Sequence, residues 1–103
     1  MKIIQNGETV DVTEIQQLDA ANADLFESTV FAALRAGPHR IDIDLSETRF
    51  VDCCGVGALV AVRNCARRRN THATVRLLNP ALPARRLLEL TRMDCSFPIT
   101  LSE

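Results

Sequence analysis

The chain has 103 residues, 47% of them apolar and 24% charged, with a formal net charge of −1. That size holds one domain with a single modest core and leaves no room for a second. The near-zero charge gives no global attraction to nucleic acid or to a membrane, and four Phe with no Trp or Tyr offer no base-stacking platform.

Residues 2–5 and 9–15 are short strand candidates on either side of Asn6-Gly7, a strong hairpin signal. Met1-Lys2-Ile3-Ile4 runs at once into polar Gln5–Glu8, so no secretory leader is expected. No apolar run approaches the length of a membrane span, and the expected compartment is the cytoplasm. Gln16–Ala21 reads as a loop with Leu18 turned inward, and Asp19 or Asn22 is placed to cap the next helix. From Ala23 to Ala36 the residues Ala23, Phe26, Val30, Ala33 and Leu34 fall on one helical face. Gly37 then Pro38 ends that helix.

The stretch Ile41–Val62 organises the chain. Ile41, Ile43 and Leu45 alternate with Asp42 and Asp44, the period of a strand with one buried face. Ser46-Glu47-Thr48 breaks the pattern, and Arg49–Asp52 resumes it briefly. Cys53-Cys54-Gly55-Val56-Gly57 then opens a helix expected over about 55–69, with Val56, Leu59, Val60 and Val62 as its apolar positions. Amides at a helix start have no partners inside the helix and favour negative charge. Asp52, Cys53 and Cys54 are therefore expected where an anion is welcome and where a modification is visible from outside.

Arg67-Arg68-Arg69-Asn70 closes the helix. An acidic partner or a phospholipid headgroup would suit such a run, but cations complementing the negative end of the helix explain it more simply. Residues 73–78 alternate again, with Ala73, Val75 and Leu77 on one face and Arg76 on the other, within reach of Asp42 or Asp44 on a neighbouring strand. Asn79-Pro80 is expected to cap a further helix, with Pro83 in its first turn and Leu82, Leu87, Leu88 and Leu90 as apolar positions. Thr91–Cys95 reads as a turn. Residues 97–101 read as a last strand, confined to an edge by Pro98.

No catalytic constellation emerges. Asp42 and Asp44 would lie about 7 Å apart on one strand face, without a nucleophile beside them. Gly55-x-Gly57 lacks the rest of a nucleotide loop and is better explained by a tight turn and close backbone packing. The cysteines at 53, 54, 65 and 95 do not have ligand spacing with each other or with His39 and His72. Free thiols in core or turn positions are the simple reading. A sharper one is Cys54 as an oxidation sensor, since a thiol at a helix start can become nucleophilic. No enzyme activity, cofactor or metal is expected.

The residues Asp44-Leu45-Ser46, then Val51-Asp52, Gly55 and Gly57, resemble the signature of the STAS family, the anti-sigma-factor antagonists and their relatives. The usual form reads D-L-S, four residues, an apolar residue, then D-S-S-G-L-G. The resemblance covers nearly the whole chain, including the N-P-x-x-P segment and the F-P-I strand; the usual C-terminal helix has no counterpart before Glu103. It implies an α/β fold in a single domain over 1–103, a mixed β-sheet of about four to five strands with helices mainly on one face. It also implies a docking surface at Asp52, Cys53, Cys54, Gly55, Val56 and Gly57 for an anti-sigma factor or a serine-kinase-like switch protein. The serine phosphorylated in the switched members falls on Cys54. The alternative partner is the ATPase of an ABC-type phospholipid transport assembly, in which STAS proteins serve as accessory subunits. The short first hairpin also leaves a sheet edge that a second copy could cover, giving a homodimer.

Overall fold

A computed structural model describes residues 1–92 and the backbone of residues 99–100. The chain runs β1 (Lys2–Asn6), β2 (Thr9–Thr13), β3 (Gln17–Leu18), α1 (Ala23–Ala33) with a 3-10 turn over Leu34–Ala36, β4 (Arg40–Asp44), β5 (Phe50–Val51), α2 (Cys53–Arg69), β6 (Thr74–Leu78), α3 (Leu82–Leu90) and β7 (Ile99–Thr100). Among the described residues one mixed sheet has the order β1-β2-β4-β6-β7, and β3 pairs with β5 in a second, two-stranded sheet. The hairpin β1–β2 is antiparallel, and the remaining pairs of the main sheet are parallel.

Side-chain alternation decides which face is covered. Val10, Val12, Ile41, Ile43, Val75 and Leu77 point to one side and are buried. With Phe26, Val30 and Leu34 of the first helical segment, Leu59 and Val62 of α2, and Ala84 and Leu88 of α3, they form one core. The opposite face carries Thr9, Asp11, Arg40, Asp42, Thr74 and Arg76 in register. Asp42 is buried there under its neighbours. Arg76 Nε donates to its Oδ1 at 2.7 Å and Arg76 Nη2 to its Oδ2 at 2.9 Å, while Arg40 Nε lies 3.3 Å from Oδ2. These bonds hold the Arg76 proton more tightly than usual. The Asp44 carboxylate accepts the Ser46 amide at 2.9 Å. Both strand aspartates are thus occupied in structural bonds.

Gly37 ends the first helical segment in the left-handed conformation, φ 67°, where a side chain would be strained. Asn22 stands before α1, but its side chain accepts the Asp19 amide and leaves the helix amides alone. Two expectations are corrected in α3. Its cap is Ala81, because Asn79 takes a positive φ of 48° and the Ala81 amide donates to the Leu45 carbonyl at 3.2 Å. Leu82 and Leu90 are 58% and 82% exposed, so they stay outside the core. Ala84 and Leu88, four residues apart, take the inward face with Leu87 half-buried. Thr91 and Arg92 form a turn; its expected continuation to Cys95, and the strand positions 97, 98 and 101, lie outside the described residues.

Candidate docking site at the start of α2

Three crossings bring the chain to one corner. β5 lies parallel to β3, with Gln17 opposite Phe50 and Leu18 opposite Val51. The Arg49 amide donates to the Gln16 carbonyl at 2.9 Å, and the Asp52 amide to the Leu18 carbonyl at 3.2 Å. Thr48 locks the approach from beneath. It is fully buried, and its hydroxyl donates to the Ile15 carbonyl at 2.7 Å. The junction of β5 and α2 is therefore fixed to the loop before α1 through backbone bonds on both sides.

α2 begins at Cys53, two residues earlier than the sequence pattern suggests. The reason is Asp52, which serves as its cap. Asp52 Oδ1 accepts the Gly55 amide at 3.0 Å, and Oδ2 accepts the Ala20 amide at 3.1 Å. The Gly55 hydrogen bond, joined by the Ala20 and Cys54 amides, holds the Asp52 carboxyl below its ordinary pKa of 3.8 against a smaller opposing effect of desolvation. The anion expected at the helix start is thus supplied by the chain itself, and the Gly55 amide is not open to an outside group.

The six candidate residues divide by exposure. Cys53, Cys54 and Gly57 are exposed, Asp52 is half-buried, and Gly55 and Val56 are buried. Gly55 and Val56 therefore shape the corner from within and give no surface to a partner. Each glycine has its own reason. A Cβ at Gly55 would overlap the Leu18 carbonyl oxygen and sit 2.8 Å from its carbon, so only glycine lets α2 lie this close to β3. A Cβ at Gly57 would meet nothing within 4 Å. Nothing in the packing requires glycine at 57; its effect is to keep the first outer turn of α2 low.

Phe50, two residues before Asp52, is 53% exposed and adds an apolar side chain to the strand that leads into the site. Sequence reasoning passed over it because its place in an alternating segment looked structural. It also passed over the contribution of Leu18, Ala20 and Thr48. Leu18 alone gave a signal, as an apolar residue within a polar stretch. Cys53, Cys54 and Cys65 are free thiols. Among the described residues no three His, Cys, Asp or Glu side chains are grouped to hold a metal, and no helix is long and apolar enough to cross a membrane.

A family model described as the STAS domain matches residues 1–103. The chain belongs to the STAS domain family. Solved structures agree on the fold. A putative anti-sigma factor antagonist from Thermotoga maritima superposes with a TM-score of 0.86 at 24% identity, covering 96% of this chain and 84% of that one. An anti-sigma factor antagonist from Mycobacterium paratuberculosis gives 0.84 at 21% identity, covering 96% and 82%. SpoIIAA, a Bacillus cell fate determinant in its phosphorylated form, gives 0.75 at 17% identity, covering 99% and 90%. A comparison with curated proteins finds no match. In this STAS domain the turn into α2 reads Asp52-Cys53-Cys54-Gly55-Val56-Gly57, with two adjacent thiols at the helix start.

Proposed function

We propose that this STAS domain is a non-catalytic regulatory module of the cytoplasm. It docks on a switch kinase or anti-sigma factor through the corner at 52–57, in the manner of an anti-sigma-factor antagonist. The observation that carries the reading is Gly57. An exposed glycine inside a helix costs stability relative to alanine, about 0.5–1 kcal/mol, and here no neighbour demands it. Close approach of another backbone is the use that such a bare turn serves. Exposed Cys53 and Cys54, four and three residues earlier on the same helix, flank it with small side chains, and exposed Phe50 precedes them in the chain.

Regulation differs from a serine switch. A phosphate on this turn would bring roughly −1.5 to −2 charges and expel a docked partner. Cys54 offers no hydroxyl for that transfer, and the buried, bonded Thr48 hydroxyl is no substitute. Binding is therefore constitutive with respect to phosphorylation, or answers to thiol oxidation. The test is incubation with the captured cognate kinase and ATP, followed by mass spectrometry. The unaltered chain is expected to stay unmodified, while Cys54→Ser gains one phosphate. Phosphate found on the unaltered turn, or on exposed Ser46, would defeat the proposal. Capture of an ABC ATPase in place of a kinase or anti-sigma factor would move the protein to the transport reading.

A further inference from the structure

The two ends of the parallel strands carry opposite charge. Over their C-terminal ends, residues 14–24 and 44–52 hold Glu14, Asp19, Asp24, Asp44, Glu47 and Asp52 against Arg49, with Lys2, opposite Thr13, as a second cation at that end of the sheet. Over their N-terminal ends, residues 6–9, 34–40 and 66–73 hold Arg35, Arg40, Arg67, Arg68 and Arg69 against one acid, Glu8. The length of α2 separates the poles, about 25 Å at 1.5 Å per residue. The overall charge of −1 conceals this division.

Asn70 assembles the basic pole. Its side-chain amide donates to the Gly37 carbonyl at 3.2 Å and lies 3.1 Å from His39 Nδ1, and its side-chain oxygen accepts the His72 amide at 3.0 Å. The 3-10 turn bearing Arg35 is thereby held against the end of α2. Arg40 is committed to Asp42. Arg35, Arg67, Arg68 and Arg69 are exposed, and among the described residues none forms an ion pair.

Complementing the helix dipole accounts for cations within the last turn of α2. It does not account for Arg35 on a separate element. Geometry narrows the ligand. Consecutive helical residues step about 100° around the axis, so Arg67, Arg68 and Arg69 fan outward and do not converge on one small anion. A crown of this kind matches a plane of negative charge set across the helix end. Of the large exposed apolar side chains among the described residues, Met1, Ile4, Leu25, Phe50 and Leu82 lie on segments outside this pole, and Leu90 ends α3 on the return toward β7, so the contact would be chiefly electrostatic.

We propose that the basic pole is an adsorption surface for an anionic phospholipid bilayer, with α2 standing end-on and the 52–57 corner facing away from the lipid. Adsorption at one pole leaves the other free, so the two activities are independent. The test is co-sedimentation of the full chain with phosphatidylcholine vesicles, with and without about one-third phosphatidylglycerol. Binding is expected only to the anionic vesicles. It should be lost between about 0.1 M and 1 M salt, as the screening length falls from roughly 10 to 3 Å. Each arginine at such a surface is worth about fivefold in partitioning, so Arg67→Gln, Arg68→Gln and Arg69→Gln together should weaken it about a hundredfold, in a chain that circular dichroism shows to be still folded. Arg85→Gln with Arg86→Gln on α3 removes two charges elsewhere and should weaken it far less. Equal binding to both vesicle types, no binding at low salt, or a triple variant that binds as well as the unaltered chain would overturn the proposal. So would a chain that ignores vesicles but binds poly-glutamate, which would mark an acidic protein partner instead.

Discussion

Gly55 and Gly57 look equivalent in the sequence and are opposites in the fold. Adding a methyl at 55 drives α2 off the Leu18 carbonyl, a backbone contact that cannot yield cheaply; Gly55→Ala is expected to cost about 1–3 kcal/mol. Gly57→Ala adds a methyl in open space and should stabilise the domain by about 0.5–1 kcal/mol while weakening partner binding. Denaturant melts of the two variants check the pair; equal effects would undo the distinction. Asp52 carries a second expectation. Its carboxyl titrates below 3.8 in the folded state, so the stability it lends is fully present above that value and is lost as pH falls through the lowered one. Melting temperature below about pH 4 should therefore fall more steeply for the unaltered chain than for Asp52→Asn, which keeps the capping oxygen. Parallel acid limbs would contradict the assignment. The sequence pointed to Asp52 through its place before the glycine turn. It could not show that the carboxylate also reaches Ala20, since that bond joins residues 32 apart.

At the scale of elements, periodicity located every major strand and helix but not their limits. α2 starts early because a cap is decided by one side-chain bond, which the apolar period cannot register. β5 showed only as a brief return of alternation at Arg49–Asp52, and β3, two residues inside a stretch read as loop, gave no alternation at all, yet their pairing holds the candidate site in place. α3 misled for a different reason. Its four leucines suggest a wide apolar stripe, but a nine-residue helix presents little more than two turns to the core. Ala84 and Leu88 fill that contact, and Leu82 and Leu90 are left outside. Leu88→Ala is accordingly expected to cost about 2–5 kcal/mol, and Leu90→Ala to stay within about 0.5 kcal/mol. Similar losses at both positions, measured by denaturant unfolding, would show that the inward face of α3 has been assigned wrongly.

At the scale of the molecule, the one-sided sheet was legible because Ile41–Leu45 and Ala73–Leu77 alternate so cleanly, and Arg76 meets Asp42 across the strands as their register requires. The polarity of charge between the two ends was not legible, because the acids and arginines that form it are scattered over five connections and meet only through the parallel topology. That same topology sets the 52–57 corner at the acidic end, about 25 Å from the arginines. A partner docking there should present a basic surface, and its association rate should fall with added salt.

The most direct measurement of the docking claim is hydrogen exchange of the chain alone and in complex with its captured partner. The Cys53 amide starts α2 without an acceptor inside the helix, and the Cys54 amide is held only by the half-buried Asp52 carboxylate at the cap, so both exchange faster in the free protein than the amides deeper in α2. On binding they should slow, together with Phe50 and the residues through Gly57, while the Arg67–Asn70 end stays unchanged. Protection confined to the polar sheet face or to the arginine pole, with Cys53 and Cys54 exchanging as before, would contradict the account.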